Sequence, residues 1–480
     1  MIGIDFGTTN SAIAHVIAGQ KPVPIADQET NQLILPSFVY YMTPEQVIVG
    51  ENAKSQYYEL SARDGGRIFK SIKRKLKQKL TYNIFGQSVR DFEVAACIFK
   101  ELKLRAETLR GEKVDEAVVT IPVYFDADQR RSVRKAAEIA GINVKCFLHE
   151  PIAVAFQEFQ KAKATQHVMV FDWGGGTLDI SVLRVDSGMI HELEIGGDEA
   201  LGGDDLDRCL ATNTLEWFLK TNSVEPFDIE DNPSCLQRLL SRSETAKIQL
   251  SDTLISDTSI DIVSFYLDKD ISRLLDRPEF ENITKGIYNL AINKLTETLE
   301  KIKLKPSDID IVILAGGSSR IPLVIRSVEK IFGQAKINTL MNTDTCVAEG
   351  AALVSFLDIE PVLSVPIGIE FEDGFIYKFL ERGTSLKKSQ SDSIQLFVPD
   401  PRSGKANIKI YESESGKVDA PDSRIKKILS VPVNPDCAEY INVKFDLDEN
   451  QCLKIEATGM NTGIPRSCQI KDIKIGFKLN

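Results

Sequence analysis

The sequence predicts a two-lobed α/β domain followed by an all-β domain. One observation is residues 168–183, where an apolar run reaches Asp172, three glycines follow, and a second apolar run begins. Another is residues 2–16, which repeat this order with Asp5 and a Gly-Thr-Thr turn. A third is the change after residue 366, where helical periods give way to alternating strands. The repeated strand–Asp–glycine turn–strand pattern predicts two similar lobes that face each other.

Both glycine turns are suited to binding an anion. Glycine permits backbone torsions of either sign and lets N–H groups point at a phosphate. Because phosphates repel a bare carboxylate, Asp5 and Asp172 beside such turns suggest a bridging Mg²⁺ with its waters. An ordinary glycine-rich β-hairpin is the alternative for either stretch alone, and the repetition argues against it.

The remainder of the first lobe alternates strands and helices. Asp126 or Asp128 can cap a helix that runs to Ala140 and stops at Gly141. The basic run 69–79 is typical of a solvated helix face, although one cation in it could face a phosphate. The other predicted elements are strands at 37–41, 47–49, 118–123 and 144–148 and a helix at 92–109.

Glu150 lies where the strand 144–148 passes into a helix that opens with Pro151. Open α/β sheets bind ligands near such junctions, which makes Glu150 a candidate site residue. The alternative is a helix-terminal acid that the helix dipole favours.

The second lobe repeats this alternation. A mostly polar helix is predicted at 234–250 and contains Glu244 and Lys247. A strand at 309–314, a Gly316-Gly317-Ser318-Ser319 turn and a helix from Pro322 to Gly333 form another phosphate- or nucleoside-binding element. Further helices are predicted at 283–302 and 348–356.

The C-terminal region is predicted to be a separate β-sandwich. Residues 441–447 alternate strictly between apolar and polar side chains, the period of a half-buried strand. The segment 358–365, which contains Pro361, is the candidate linker. The predicted strands are 394–398, 408–411, 428–433, 441–447, 452–457 and 470–477.

Composition excludes several classes of protein. The net charge of −11 argues against a nucleic-acid binder. No apolar run is long enough to span a bilayer, and no signal peptide precedes the first strand, so we expect a cytoplasmic protein. The eight cysteines form no CxxC pair, which favours reduced, mostly buried thiols, and the four histidines form no metal-binding pattern.

These motifs together resemble those of the seventy-kilodalton heat-shock chaperones of the DnaK type. Members of that family have an actin-like (ribonuclease H-like) ATPase domain and a β-sandwich, and the resemblance covers essentially the whole chain. Actin and sugar kinases share the phosphate turns but lack the connecting motifs. The stretches that carry the resemblance are residues 3–11, 119–124, 129–130, 149–151, 172–177, 201–205, 316–322 and 441–457.

The resemblance implies an Mg²⁺-dependent ATPase that converts ATP to ADP, with K⁺ as an additional candidate cation. Lys73 would be the catalytic lysine beside the γ-phosphate, and Glu150 would orient the attacking water. Asp5 and Asp172 would hold Mg²⁺ through waters, and Thr177 would complete the catalytic set. The remaining implied nucleotide contacts are Gly7, Thr8, Thr9, Asn10, Gly174, Gly175, Gly176, Asp179, Gly197, Glu244, Lys247, Ser251, Gly316, Gly317, Ser318, Arg320, Ile321 and Asp344.

The resemblance also implies the domain plan. Residues 1–357 would form the ATPase domain, with lobe I at about 1–163 plus 340–357 and lobe II at about 164–339. The linker would be 358–365. The substrate-binding sandwich would be 366–480, and we expect no helical lid after it.

The implied partners are extended client polypeptide, a J-domain co-chaperone and a nucleotide-exchange factor, without nucleic acid or membrane. We expect a monomer. Cys146, His149 and Ile152 depart from the bacterial pattern on the surface met by J-domains. Pro122 and Arg130 resemble the relay from nucleotide to the interdomain surface.

Three other functions remain in competition at this stage. One is a filament-forming actin-like ATPase, and a second is a sugar or acetate kinase. The third is a chaperone-like scaffold, similar to exchange-factor relatives, that binds ATP and cycles weakly.

Overall fold

The structure is a computed structural model that describes residues 1–18, 20–64, 66–159, 166–186, 188–222, 233–339, 344–386 and 390–478. It divides into two compact units. The first comprises residues 1–123, 132–186 and 193–357, and the second comprises 124–131, 187–192 and 358–480. The predicted lobe boundaries near 163 and 340 fall at residues outside the described ranges, and the predicted domain plan stays a prediction.

The helices of the described residues lie in the first unit, except that α4 (Ala127–Ile139) begins in the second unit. They are α1 (Glu51–Asp64), α2 (Ile72–Lys75), α3 (Asp91–Arg110), α4 (Ala127–Ile139), α5 (Glu150–Phe159), α6 (Gly203–Asn222), α7 (Pro233–Ser251), α8 (Arg277–Lys301), α9 (Pro322–Phe332) and α10 (Cys346–Phe356). Single 3₁₀ turns occur at Pro306–Asp308, Gly317–Arg320 and Gln334–Lys336.

Strands precede and separate these helices. The first eleven are β1 (Ile2–Asp5), β2 (Asn10–His15), β3 (Val23–Pro24), β4 (Ile34–Pro36), β5 (Phe38–Tyr41), β6 (Val47–Val49), β7 (Ile68–Lys70), β8 (Thr81–Ile84), β9 (Gln87–Arg90), β10 (Glu116–Ile121) and β11 (Asn143–His149). The next seven are β12 (Gln166–Trp173), β13 (Leu178–Asp186), β14 (Met189–Asp198), β15 (Asp257–Tyr266), β16 (Lys269–Asp276), β17 (Ile311–Ala315) and β18 (Ile337–Thr339).

Two sheets have the same strand arrangement, which confirms the two-lobed α/β fold. In the first, the order is β11-β10-β1-β2-β3, with β11, β10 and β1 parallel and β2 antiparallel to β1. In the second, the corresponding order is β18-β17-β12-β13-β14, with β18, β17 and β12 parallel and β13 antiparallel to β12. Asp5, the last residue of β1, and Asp172, the penultimate residue of β12, therefore lie at the ends of equivalent strands in equivalent sheets.

Helix packing explains several small residues in the first sheet. A Cβ on Gly3 would lie 2.0 Å from the backbone nitrogen of Ala352, so α10 can approach β1 closely only because residue 3 is glycine.

The Asp126 carboxylate accepts hydrogen bonds from the backbone amides of Asp128 and Gln129 and caps α4. Gly141 follows that helix with φ near 74°, as its position predicted.

Several elements differ from those predicted. The basic run 69–79 is not one helix face, because it contains the end of β7, the four-residue α2 and turns. The helix predicted at 283–302 begins at Arg277, where Asp276 accepts a hydrogen bond from Glu279 and caps it. The polar composition of α1, α6 and the β15–β16 hairpin hid these elements from periodicity.

The second unit contains a sandwich of two four-stranded sheets with orders β21-β20-β23-β24 and β22-β25-β26-β27. Alternate residues of β25 from Ile441 to Leu447 are buried, which confirms the period-two prediction. The rings of Phe379 and Phe445 stack with centroids 3.9 Å apart. The strands are β19 (Glu360–Leu363), β20 (Ile367–Glu370), β21 (Ile376–Leu380), β22 (Gln390–Val398), β23 (Lys405–Glu412), β24 (Arg424–Pro432), β25 (Glu439–Leu447), β26 (Leu453–Gly459), β27 (Pro465–Ile470) and β28 (Ile475–Lys478).

One strand prediction for this region needs correction, whereas the predicted linker bounds stay a prediction. The strand predicted at 470–477 is two strands, because β27 ends at Ile470 and β28 starts at Ile475. The predicted linker 358–365 contains β19, which pairs antiparallel with β28. The eight cysteines, all of them described, are free thiols, and four of them are buried.

Candidate active site

The two glycine turns predicted as phosphate sites face each other in the first unit. A Cβ on Gly175 would lie 2.7 Å from Thr9 Oγ1, and one on Gly176 would lie 3.5 Å from Thr8 Cγ2. The turn after β12 closes on itself, because the Gly174 amide donates to the Thr177 carbonyl at 3.0 Å. The two lobes thus bring both turns to one place.

Two serines that the sequence analysis missed support the first turn. Ser11 Oγ accepts from the Gly7 amide at 3.2 Å, and Ser37 Oγ donates to the Gly7 carbonyl at 2.9 Å. The two hydroxyls lie 3.0 Å apart, and both are buried. Ser11 stands directly after the Thr-Thr-Asn motif, whereas only tertiary folding brings in Ser37.

Half-buried carboxylates gather behind the turns. Burial, reinforced by the nearby Glu150 carboxylate, raises the pKa of Asp5 to about 7, although Lys73 and a 3.0 Å hydrogen bond from Thr120 oppose the rise. Burial and Glu150 likewise raise the pKa of Asp179 to about 7.

Asp172 lies in the same electrostatic cluster. Burial and the carboxylates of Glu150, Asp179 and Asp5 raise the pKa of Asp172 well above its ordinary value. The Thr177 side chain hydrogen-bonds Asp179 and partly offsets the rise in its pKa. Gly197 has φ near 120° and packs against this strand, where a Cβ would lie 2.0 Å from the Leu178 carbonyl.

Lys73 provides a positive charge within this group. Its Nζ lies 2.5 Å from Glu150 Oε1, and its side chain is only 3% exposed. Ser71, with φ 55° and ψ 42°, precedes the short α2 that carries Lys73 inward. Arg74, the next residue, donates to the Gly176 carbonyl of the opposite turn. Lys73 is thus the lysine of the basic run 69–79 that the fold buries.

The donor set fits Mg²⁺ held mainly through waters and phosphate. The acids are hard oxygen ligands, and burial and neighbouring carboxylates raise their pKa values more than Lys73 lowers them, so a bound cation would stabilise their charged forms. In the part of the chain that the structure describes, no three His, Cys, Asp or Glu side chains are arranged to chelate a metal directly. Mg²⁺ retains several waters in such sites, so few direct protein ligands are needed.

A cavity of about 760 Å³ opens beside the turns. Its size suits a nucleotide-sized ligand. The predicted residues that line it are Thr9, Asn10, Gly175, Glu244, Lys247, Ser251, Gly317, Ser318, Arg320, Ile321 and Asp344. The other predicted glycines, Gly7, Gly174, Gly176, Gly197 and Gly316, shape the turns and strand ends around it.

Sequence reasoning missed part of this wall. Ile34 and Ile248 add apolar surface, and Ile248 is 60% exposed despite its size. Asp204 and Asp207 add charge from α6. The Leu-Gly-Gly-Asp-Asp motif at 201–205, which contains Asp204 and lies just before Asp207, was the available signal, because it places the start of α6 against the phosphate turn.

Two ion pairs join opposite walls of the site. Lys54 on α1 contacts Glu244 on α7 at 2.9 Å. Lys70 at the end of β7 contacts Asp204 at the start of α6 at 3.0 Å. Both pairs are partly exposed, so they lie where solvent and salt can reach them.

The predicted relay residues lie outside this cavity's lining. Pro122 follows β10 in the first unit and is buried. Arg130, in the second unit, is 2% exposed and donates to the carbonyls of Asn450, Lys471 and Phe125 at 2.7–2.8 Å. Burial lowers the pKa of Arg130 to about 10.

The predicted co-chaperone contact at Cys146, His149 and Ile152 stays a prediction, although the structure exposes little of these residues. These side chains are 7%, 3% and 0% exposed. Cys146 and His149 belong to β11, and Ile152 belongs to α5.

The chain is similar to known proteins over nearly its whole length. The sequence model of the Hsp70 protein family matches residues 1–476. "Chaperone protein dnaK1" of Synechocystis sp. is 32% identical, and the match covers 98% of this chain and 71% of that protein. "Chaperone protein DnaK" of Thermotoga neapolitana is 32% identical and that of Thermotoga petrophila 31%, each over 97% of this chain and 79% of the relative.

Within the described residues, no helix has the length and apolar character needed to cross a membrane.

Proposed function

The chain belongs to the Hsp70 family and is an ATP-dependent molecular chaperone with ATPase activity, and we propose that it hydrolyses ATP between its two facing glycine turns. The observation that carries this assignment is the buried Lys73–Glu150 pair among Asp5, Asp172 and Asp179. A buried lysine and carboxylate in contact suit a reaction that needs both charge neutralisation and an oriented water.

The reaction is phosphoryl transfer to water. Thr8, Thr9 and Asn10 of one turn and the glycines of the other bind the β- and γ-phosphates with backbone and hydroxyl donors. Lys73 balances negative charge on the γ-phosphate, and Glu150 accepts a hydrogen bond from the attacking water. The water oxygen forms the new bond to phosphorus as the bond to the β–γ bridging oxygen breaks, which releases ADP and phosphate.

The family binds ATP and ADP with Mg²⁺, and in this chain Asp5 and Asp172 would hold the ion through waters. When bound, Mg²⁺ neutralises phosphate charge and orients the γ-phosphate. Thr177 and Asp179 complete the carboxylate side of the site. K⁺ is an additional candidate cation there.

The cavity beside the turns is proposed to hold the nucleoside. Glu244, Lys247 and Ser251 on α7 form one wall. The Gly316–Ile321 segment and Asp344 form another, where Arg320 lies 3.6 Å from Asp344. Flat apolar and guanidinium surfaces beside a polar end suit a purine and its sugar.

DnaK-type chaperones bind unfolded clients and co-chaperones, and we propose that the sandwich 366–480 of this chain binds extended polypeptide. Residues 358–365 and the Pro122 and Arg130 relay would connect that binding to the ATPase domain 1–357. J-domain proteins and exchange factors are proposed partners. A monomeric, cytoplasmic protein is proposed on family membership. Family membership does not favour the filament, kinase or scaffold alternatives.

Single-turnover ATP hydrolysis of wild type and Lys73→Ala tests the catalytic assignment. Because the variant removes charge stabilisation made in the transition state, the rate at saturating ATP should fall by at least about a hundredfold. Lys77→Ala, an exposed lysine of the same basic run, is the matched control and should hydrolyse at the wild-type rate.

Unchanged hydrolysis in Lys73→Ala would refute the role of that lysine. A wild type that binds ATP tightly yet releases no phosphate would instead favour the weakly cycling scaffold. Phosphate release without any added acceptor would exclude the kinase.

A further inference from the structure

A second buried lysine–carboxylate pair lies at the cavity wall. Lys247 Nζ on α7 contacts Asp207 Oδ2 on α6 at 2.8 Å, and the two side chains are 11% and 8% exposed. No described residue donates a hydrogen bond to the other carboxylate oxygen, Oδ1. Lys247 is thus the charged residue that pairs with Asp207.

Lys247 also connects the wall to the phosphate turn. Its Nζ donates to the Gly203 carbonyl at 3.1 Å. The Gly203 amide in turn donates to the Gly174 carbonyl at 3.0 Å, and the Asp204 amide donates to the Gly175 carbonyl at 2.6 Å. A chain of hydrogen bonds therefore runs from Asp207 through Lys247 to the second glycine turn.

If this ion pair served only to stabilise the fold, apolar side chains would serve at least as well at these two positions. Removing two charges from water costs free energy that a buried ion pair often fails to recover, whereas apolar side chains of similar volume pack as well or better. Both residues line the cavity, so the ammonium lies where a ligand can meet it. Burial raises the pKa of Asp207 to about 6, which shows that even Lys247 does not fully offset its desolvation.

We propose that Asp207 is a positioning residue for nucleotide binding, which holds the Lys247 ammonium at the junction of the nucleoside cavity and the second glycine turn. The assignment rests on the proposed function of that cavity. Asp207 acts through Lys247 and takes no part in the chemical step. Its loss should therefore weaken nucleotide binding and leave hydrolysis of bound ATP nearly unchanged.

The test compares ADP affinity, from titration with a fluorescent ADP, with the single-turnover rate at saturating ATP. Asp207→Asn should weaken ADP binding by about tenfold or more, because the carboxylate charge that holds the Lys247 ammonium is lost. Its saturated hydrolysis rate should stay within about twofold of wild type. Glu216→Gln removes the same charge from the exposed face of α6 and should bind ADP as wild type does.

A double-mutant cycle separates positioning from a general effect of charge. Lys247→Met should weaken ADP binding, and Asp207→Asn combined with it should bind no worse than Lys247→Met alone. Additive losses, or unchanged ADP affinity in Asp207→Asn, would overturn the proposal. Circular dichroism melts check folding, and Asp207→Glu, which shifts the carboxylate by one methylene, replaces Asp207→Asn if that variant does not fold. A wild type that binds no ADP would contradict the nucleotide site itself, a distinct result.

Discussion

At the scale of single residues, the acids of the active site are costly to bury without a ligand. Asp5, Asp172 and Asp179 all lie where burial raises their pKa, and Lys73 is their nearest opposing charge. Raised pKa values of this kind are common at sites that are preorganised to bind a charged ligand. A cation that binds among these acids should therefore lower their pKa values.

Asp179→Asn gives a pH-dependent prediction for the nucleotide-free protein. The pKa of Asp179 is about 7 in the folded protein and 3.8 in the unfolded protein. The stabilisation that this carboxyl group contributes to the wild type is therefore complete below the unfolded pKa and is lost as the pH rises through 7. Asn cannot ionise. At pH 8 the variant should therefore be more stable than wild type by on the order of 2–4 kcal/mol, and the difference should shrink towards pH 5.

Urea unfolding across pH 5–8 without nucleotide measures this effect. Asp257→Asn, at an exposed position, is the control and should follow the wild-type pH profile. A pH-independent difference between Asp179→Asn and wild type would show that the carboxyl titrates normally in the folded protein.

At the scale of secondary-structure elements, α1 and α7 contact through Lys54 and Glu244, and Glu244 also lines the cavity. The pair is only partly buried, so salt should screen it and its contribution should be modest. Because this contact lies beside the cavity, we expect its loss to ease the departure of a nucleotide.

Lys54→Ala should accelerate ADP release by about two- to fivefold, as expected for a pair worth up to about 1 kcal/mol. Stopped-flow displacement of a fluorescent ADP measures the rate. Raising the salt concentration should accelerate release from wild type more than from Lys54→Ala. Glu51→Gln, an exposed acid at the start of α1, should leave the rate unchanged. Equal release rates in wild type and Lys54→Ala would exclude a gating role for this contact.

At the scale of the whole molecule, the proposed chaperone cycle requires that nucleotide state changes the affinity of the sandwich for peptide. Coupling of this kind is reciprocal, so a client that prefers one nucleotide state must also shift the nucleotide equilibrium. A fluorescent extended peptide should therefore dissociate at least about tenfold faster with ATP than with ADP, corresponding to about 1.4 kcal/mol of coupling.

The hydrolysis-deficient Lys73→Ala protein keeps ATP bound during this measurement and should show fast peptide release for longer than wild type. Identical off-rates in ATP and ADP would refute a coupled cycle, even if ATP hydrolysis itself is intact. The Lys77→Ala control should match wild type in both states.

Local chemistry made much of the architecture predictable. The two glycine turns, the Pro322–Gly333 helix and the alternation of residues 441–447 follow from backbone freedom and periodicity, and the structure contains each of them. Periodicity failed for α1, whose sequence is mostly polar, and for the β15–β16 hairpin, where Arg273 is buried and Leu274 is exposed.

The sequence by itself determined that two similar strand–Asp–glycine turns exist and that a β-sandwich follows them, since turn chemistry and apolar spacing are local. Only the tertiary structure decided which lysine is buried, because Lys73 differs from its basic neighbours in where α2 points. It alone showed Ser37 and Asp207 at the site and buried Cys146, His149 and Ile152. These depend on contacts between residues far apart in the chain, which no local pattern records.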